Sequence, residues 1–182
     1  TTGSSNVGIG HNSLEDNTTG AENTAVGYNA LSQNTTAHNN TAFGNEALEQ
    51  CTTGTANVGV GHRAGEEITT GDNNVLIGTN AADGLTEGDG NTCVGHASGT
   101  SLSTGGNNVF LGTEAWGSAN NATNQIVIGK GAVGIQNNSA IIGNSSCTDV
   151  FMGDNGSAWS TTSDGRLKEN VEDWNVGLDA IN

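Results

Sequence analysis

Histidine is the side chain best suited to acid–base or metal chemistry near neutral pH. Three of the four histidines in this chain fall at one recurring position. His11, His62 and His96 each follow a glycine of an evenly spaced series. If that column faced a threefold axis, three imidazoles per layer would suit a metal ion or an anion. The same column also holds Tyr28, Asn45, Thr79, Thr113 and Lys130, so a solvated or polar-packed column is expected. No metal ligand and no cofactor-binding residue is assigned. The Asp and Glu residues form no paired-carboxylate constellation of the kind that hydrolyses glycosides. The Asp residues are too scattered for the calcium-binding nonapeptide repeat, which leaves only isolated calcium at Asp/Asn-rich turns. Cys51, Cys93 and Cys147 lie far apart without CxxC spacing, and an odd count excludes full pairing within one chain. They read as small, mostly buried residues. Ser163 and Lys168 set a hydroxyl and an amine five positions apart. Taken alone, Ser163-Asp164-Gly165-Arg166 is an ordinary turn before a charged strand.

What must position these groups is a repeat. Gly10, Gly27, Gly44, Gly61, Gly78, Gly95, Gly112 and Gly129 recur at a constant interval of 17. Four residues before them come Asn6, Asn23, Asn40, Asn57, Asn74, Asn91, Asn108 and then Gln125. One residue before them, the series Ile9 to Ile128 is apolar in every coil; three before them, Val7 to Ile126 is always β-branched. Two positions apart, these columns share one face of a strand, which predicts a buried two-residue apolar stripe. On that expectation Asp at Ile77 would place a carboxylate inside the roll. Each glycine ends the strand, where a positive φ or close backbone approach is needed. A small residue three positions on (Ser13, Ala30, Ala47 and their successors) and the next residue (Leu14, Leu31, Leu48 or Trp116) make a second apolar patch. Thr-Thr-Gly or a variant supplies the turn back. Each repeat is thus a coil of about two strands, stacked in parallel, and too small to be stable without its neighbours and a further buried surface. Towards the C-terminus the spacing shortens: the interval falls to 14 between Gly129 and Gly143, and to 10 between Gly143 and Gly153.

Composition agrees. Pro is absent, aromatics are 4%, and Gly makes up 29 of 182 residues. Low hydrophobicity with a net charge of -15 would suit a disordered chain, but strict periodicity argues otherwise. The acidic balance excludes nucleic acid and anionic membrane surfaces as partners. No apolar run reaches the length of a membrane span, and no signal peptide is evident. The chain begins inside a repeat, at Thr1-Thr2-Gly3, so its natural N-terminus is expected upstream. The threonine pairs suit turns better than an ice-binding ladder, and the Asn-X-Thr triplets at Asn17 and Asn34 follow from composition. Trp116, Trp159 and Trp174 fall outside the stripes; Trp159 is placed to plug the end of the roll.

Asn23-Thr24-Ala25-Val26-Gly27-Tyr28-Asn29-Ala30-Leu31 and Asn138-Ser139-Ala140-Ile141-Ile142-Gly143 resemble the head repeats of trimeric autotransporter adhesins. That resemblance, over residues 1–153, implies a left-handed parallel β-roll with three chains packed around a common axis. This chain departs from it in using a longer coil, whose extra residues are expected to enlarge a turn.

Ser163-Asp164-Gly165-Arg166-Leu167-Lys168-Glu169-Asn170 looks like the start of the intramolecular chaperone domain (peptidase S74) at the C-terminus of phage tail fibres and tailspikes. Leu178-Asp179-Ala180-Ile181-Asn182 fits that family's next element. The resemblance implies a domain that trimerises the fibre before it and then cuts itself off between Thr162 and Ser163. Ser163 would act with Lys168, since a serine needs a base and a desolvated lysine can serve.

The expectations are therefore an all-β homotrimeric fibre of 17-residue coils over 1–153, a connector over 154–162, and a truncated chaperone domain over 163–182. The function implied is a structural and adhesive segment of a phage tail fibre, located in the virion. The alternative is the head of a cellular trimeric surface adhesin, extracellular or at the cell surface. Partners are the chain itself and, as a candidate receptor, a host cell-surface glycan or protein, with no nucleic acid and no membrane insertion. No substrate-directed enzyme activity and no cofactor is expected; single-turnover autoproteolysis before Ser163 is the most the chain would perform.

Overall fold

The computed structural model describes residues 2–147, and its regular structure there is all β. One short strand appears per coil: β1 (Val7–Ile9), β2 (Thr24–Val26), β3 (Thr41–Phe43), β4 (Val58–Val60), β5 (Val75–Ile77), β6 (Thr92–Val94), β7 (Val109–Leu111), β8 (Gln125–Ile128) and β9 (Ser139–Ile142). They form a single parallel sheet in chain order. Val7 pairs with Thr24, and the 17-residue offset holds through Val109 against Ile126. Gln125 then pairs with Ser139, an offset of 14. The described residues therefore form a β-solenoid of 17-residue coils whose last described coil is shorter, as the glycine spacing predicts. The last short interval to Gly153, the connector 154–162 with Trp159, and residues 163–182 with Ser163, Lys168 and Trp174 lie outside the described residues.

The phase of the strand is the opposite of the expected one. The residue between the two stripe columns faces inward: Ala25, Ala42, Leu76, Cys93, Phe110 and Val127 have no exposure. The flanking columns point out, with Ile9 60%, Phe43 57% and Ile77 39% exposed. Alternation made the shared face certain but could not say which face was the interior. Space decides it. The inward residue packs against the one four positions after the glycine, and the two columns are matched in size. Small Gly59 meets the Leu48 side chain, whereas at Gly65 an added Cβ would lie 2.5 Å from Leu76. Gly99 likewise makes room for Cys93 and Phe110. A third inward column, missed in the sequence, runs through Asn34, Cys51, Ile68, Leu85 and Leu102.

The expected second strand does not form. In its place the coil alternates into the left-handed region, at Asn29 (φ 52) and Leu31 (φ 50), and again at Glu46 and Leu48. For leucine that conformation costs on the order of 1–2 kcal/mol. It is stabilised by stacking. Asn29 N–H donates to His11 O of the coil before (3.0 Å), and Leu31 N–H to Ala47 O of the coil after (3.1 Å). Left-handed residues on both sides of the small one thus aim successive amides in opposite directions along the stack. The exception is an isolated parallel bridge, Trp116 with Val133.

The column glycines adopt φ from 127° to 147°, a region closed to other residues. An added Cβ at Gly78 would also lie 2.4 Å from Gly95 O. The asparagine column is an internal ladder. Each Oδ1 accepts the backbone N–H of the corresponding residue in the next coil, at 2.8–3.1 Å from Asn6 through Gln125. Each Nδ2 donates to a turn carbonyl 14 residues on, at 2.7–2.9 Å. Buried amides that would otherwise lack partners are satisfied coil by coil.

Candidate interaction surface

The outward strand face carries most of the exposed large hydrophobic residues of the described chain. Val7, Ile9, Phe43, Ile77, Ile126 and Ile142 are all 39% or more exposed. Val26, Val60, Val94 and Leu111 fill the remaining rungs at intermediate exposure. At about 4.8 Å per rung the stripe is continuous, because each of its residues pairs in register with its counterpart in the next coil. Contiguous exposed apolar surface of this kind is uncommon on monomeric soluble proteins.

The histidine column borders that face without gathering its histidines. His62 and His96 are two coils apart, and His11 stacks instead on Tyr28, ring centroids 5.5 Å apart and 10° from parallel. Within one chain the column is an open polar row, as its mixed composition implies.

The one carboxylate group among the described residues compact enough for a cation is Glu46, Glu49 and Glu66, whose oxygens lie within 4.8 Å of one another. The repeat places them: one full period separates Glu49 from Glu66, and the same period separates Glu46 from Arg63. Arg63 supplies the positive charge, hydrogen-bonding Glu66 and lying 3.7 Å from Glu46. Asn29 Nδ2 donates to Glu49 at 3.0 Å. Burial, followed by repulsion from Glu46 and Glu66, raises the pKa of Glu49 despite Asn29 and Arg63. A raised carboxyl disfavours the fold when ionised. The penalty is full above the raised value and vanishes below the ordinary carboxylate range. Glu49→Gln is therefore expected to raise the unfolding midpoint slightly at pH 7 and to leave it unchanged near pH 3, and melting curves at both pH values check it.

Cys51 and Cys93 are buried, and desolvation pushes both thiols up to about 12. Cys147, which follows β9, is exposed, which corrects the expectation for that residue. Asn17 and Asn34 are buried, so neither amide is open to glycosylation. The threonine pairs are turn-formers as expected: Thr18, Thr35, Thr52, Thr69 and Thr86 hydroxyls each donate to the carbonyl one coil on. Their outward neighbours, Thr19, Thr36, Thr53 and Thr70, give way to Glu87, so no long threonine array results. A cleft of about 400 Å³ beside β9 is lined by Val133, Ile135 and Ile141 with Asn144 and Ser145. No helix among the described residues is long and apolar enough to cross a membrane. No protein-family model matches the chain, and neither a curated protein nor a solved structure does.

Proposed function

We propose that this chain is a structural and adhesive segment of a homotrimeric fibre of the phage tail-fibre type. The observation that carries the reading is the outward apolar stripe, repeated on every rung of a molecule with net charge -15. Three copies set about one axis would cover it with its own kind, and the short interior of each coil would gain the second buried surface it needs. The remaining faces, which carry the acids and amides, stay in water. A fibre that presents such a stripe before assembly would aggregate, so an assembly factor fused downstream is consistent with the motif at 163–170.

The stripe and the motif are tested separately. Native mass spectrometry of the 18.3 kDa chain is expected to give three copies, and a monomer overturns the trimer. In a chain extended through the complete C-terminal domain, the bond between Thr162 and Ser163 is expected to break, with Ser163 as nucleophile and Lys168 as base. Ser163→Ala should abolish the cut and leave the trimer intact. Products sized by mass spectrometry decide this, and cleavage persisting in Ser163→Ala removes the assignment.

A further inference from the structure

We infer that the outward side of the coils carrying Trp116 and Val133 binds a short stretch of uncharged oligosaccharide. The inference deepens the adhesive part of the fibre reading and rests on it. In earlier coils the position four after the glycine is turned inward: Leu31, Leu48, Ala82 and Gly99 are buried. At Trp116 and Val133 it is turned outward, at 39% and 48% exposure, and the two are bridged as neighbours on adjacent rungs. Backbone bonds fix both residues: Trp116 N–H donates to Ala132 O at 2.9 Å, and Gly134 N–H to Trp116 O at 2.8 Å. The indole Nε1–H is spent on Ala97 O at 3.2 Å. With that donor engaged, the ring offers a partner its carbon surface rather than a free N–H. A rigid aromatic face with uncharged polar groups beside it suits the C–H face of a sugar ring and its hydroxyls. Ser118 and Gln136 are exposed within a few residues of the pair.

Charge favours the same occupant. Residues 2–114 hold 12 Asp and Glu, the last of them exposed Glu114 two residues before Trp116, whereas 115–148 hold none and a single cation, Lys130. This is the stretch of the described chain whose own charges neither repel an approaching glycan coat nor select a cationic partner. Size argues against a protein partner. Two rungs span about 10 Å, room for one or two sugar rings, whereas a stable protein interface needs roughly 800 Å² from each side.

The test is binding of the intact chain to an array of immobilised neutral hexose oligosaccharides, with sialylated counterparts as the anionic arm. At least one neutral oligosaccharide is expected to be retained, with affinity at least tenfold lower in Trp116→Ala and in Val133→Ser. Trp116→Phe should recover part of it, and Tyr28→Ala, which removes an exposed aromatic elsewhere, should change nothing. Native mass and melting curves of each variant separate this from assembly. Retention of no neutral oligosaccharide, preference for the sialylated arm, or binding indifferent to Trp116 overturns the proposal. A Trp116→Ala chain that loses its trimer overturns it too, by assigning the patch to a second copy; a wild-type monomer that still binds sugar would remove the trimer and leave this site standing.

Discussion

Replacing Asn74 by alanine is expected to cost the solenoid about 2–6 kcal/mol per chain, a large share of the stability of any domain this size. Asn74 makes four contacts within the stack. Its Oδ1 accepts Asn91 N–H at 2.9 Å and Asn91 Nδ2 at 3.1 Å. Its Nδ2 donates to Asn57 Oδ1 at 3.0 Å and Gly88 O at 2.8 Å. Alanine leaves the buried Asn91 amide and the Gly88 carbonyl without those partners, at about 1–3 kcal/mol each. Aspartate is expected to be worse at neutral pH, because a carboxylate cannot donate to Gly88 O and is itself buried. Chemical denaturation, with exposed Thr70→Ala as reference, reads the difference. A midpoint within the error of the reference would mean that the ladder contributes nothing net.

The second large effect separates inside from outside. Leu76 and Ile77 are adjacent, yet Leu76 has no exposure and Ile77 is 39% exposed. Leu76→Asp puts an unpartnered carboxylate into the core and is expected to cost several kcal/mol and unravel its coils whether or not the chain assembles. Ile77→Asp is expected to keep the β signature of the single chain while reducing the native mass from three copies to one. In a trimer the three introduced carboxylates would meet near the axis, where desolvation and mutual repulsion add. An Ile77→Asp chain that remains trimeric would place the interface on another face.

These two residues also mark what could be read from the sequence. The period, the parallel register and the shortening after Gly129 were all legible, because a stack repeats the same hydrogen bonds on each rung. The phase of the strand was misread, although a signal existed. The column from Ala25 to Val127 never admits a polar residue, while the β-branched column admits Thr24, Thr41 and Thr92. Local propensity could not reveal left-handed Leu31 and Leu48, since only coil-to-coil bonding makes that backbone favourable. The Glu46–Glu49–Glu66 group with Arg63 was readable from the period and was missed for want of applying it to charges. Trp116 was passed over because it sits off the stripe, where the bridge to Val133 turns its column outward.

Gln125 ends the ladder. One methylene longer than asparagine, its amide turns to Ser118 within the same coil, with Nε2 donating to the hydroxyl and Oε1 accepting the amide at 3.2 Å. The coil spacing changes from 17 to 14 at this residue. Upstream of it every rung offers the next one the same acceptor, so the ladder carries no record of how many rungs precede it. Length is therefore a counted quantity. Duplicating a 17-residue unit would extend the stack by about 4.8 Å with the ladder unbroken, provided the inward columns at the junction stay matched in size. One side chain ends the ladder, while the sheet itself continues into β9, and the number of 17-residue rungs before it can change by copying.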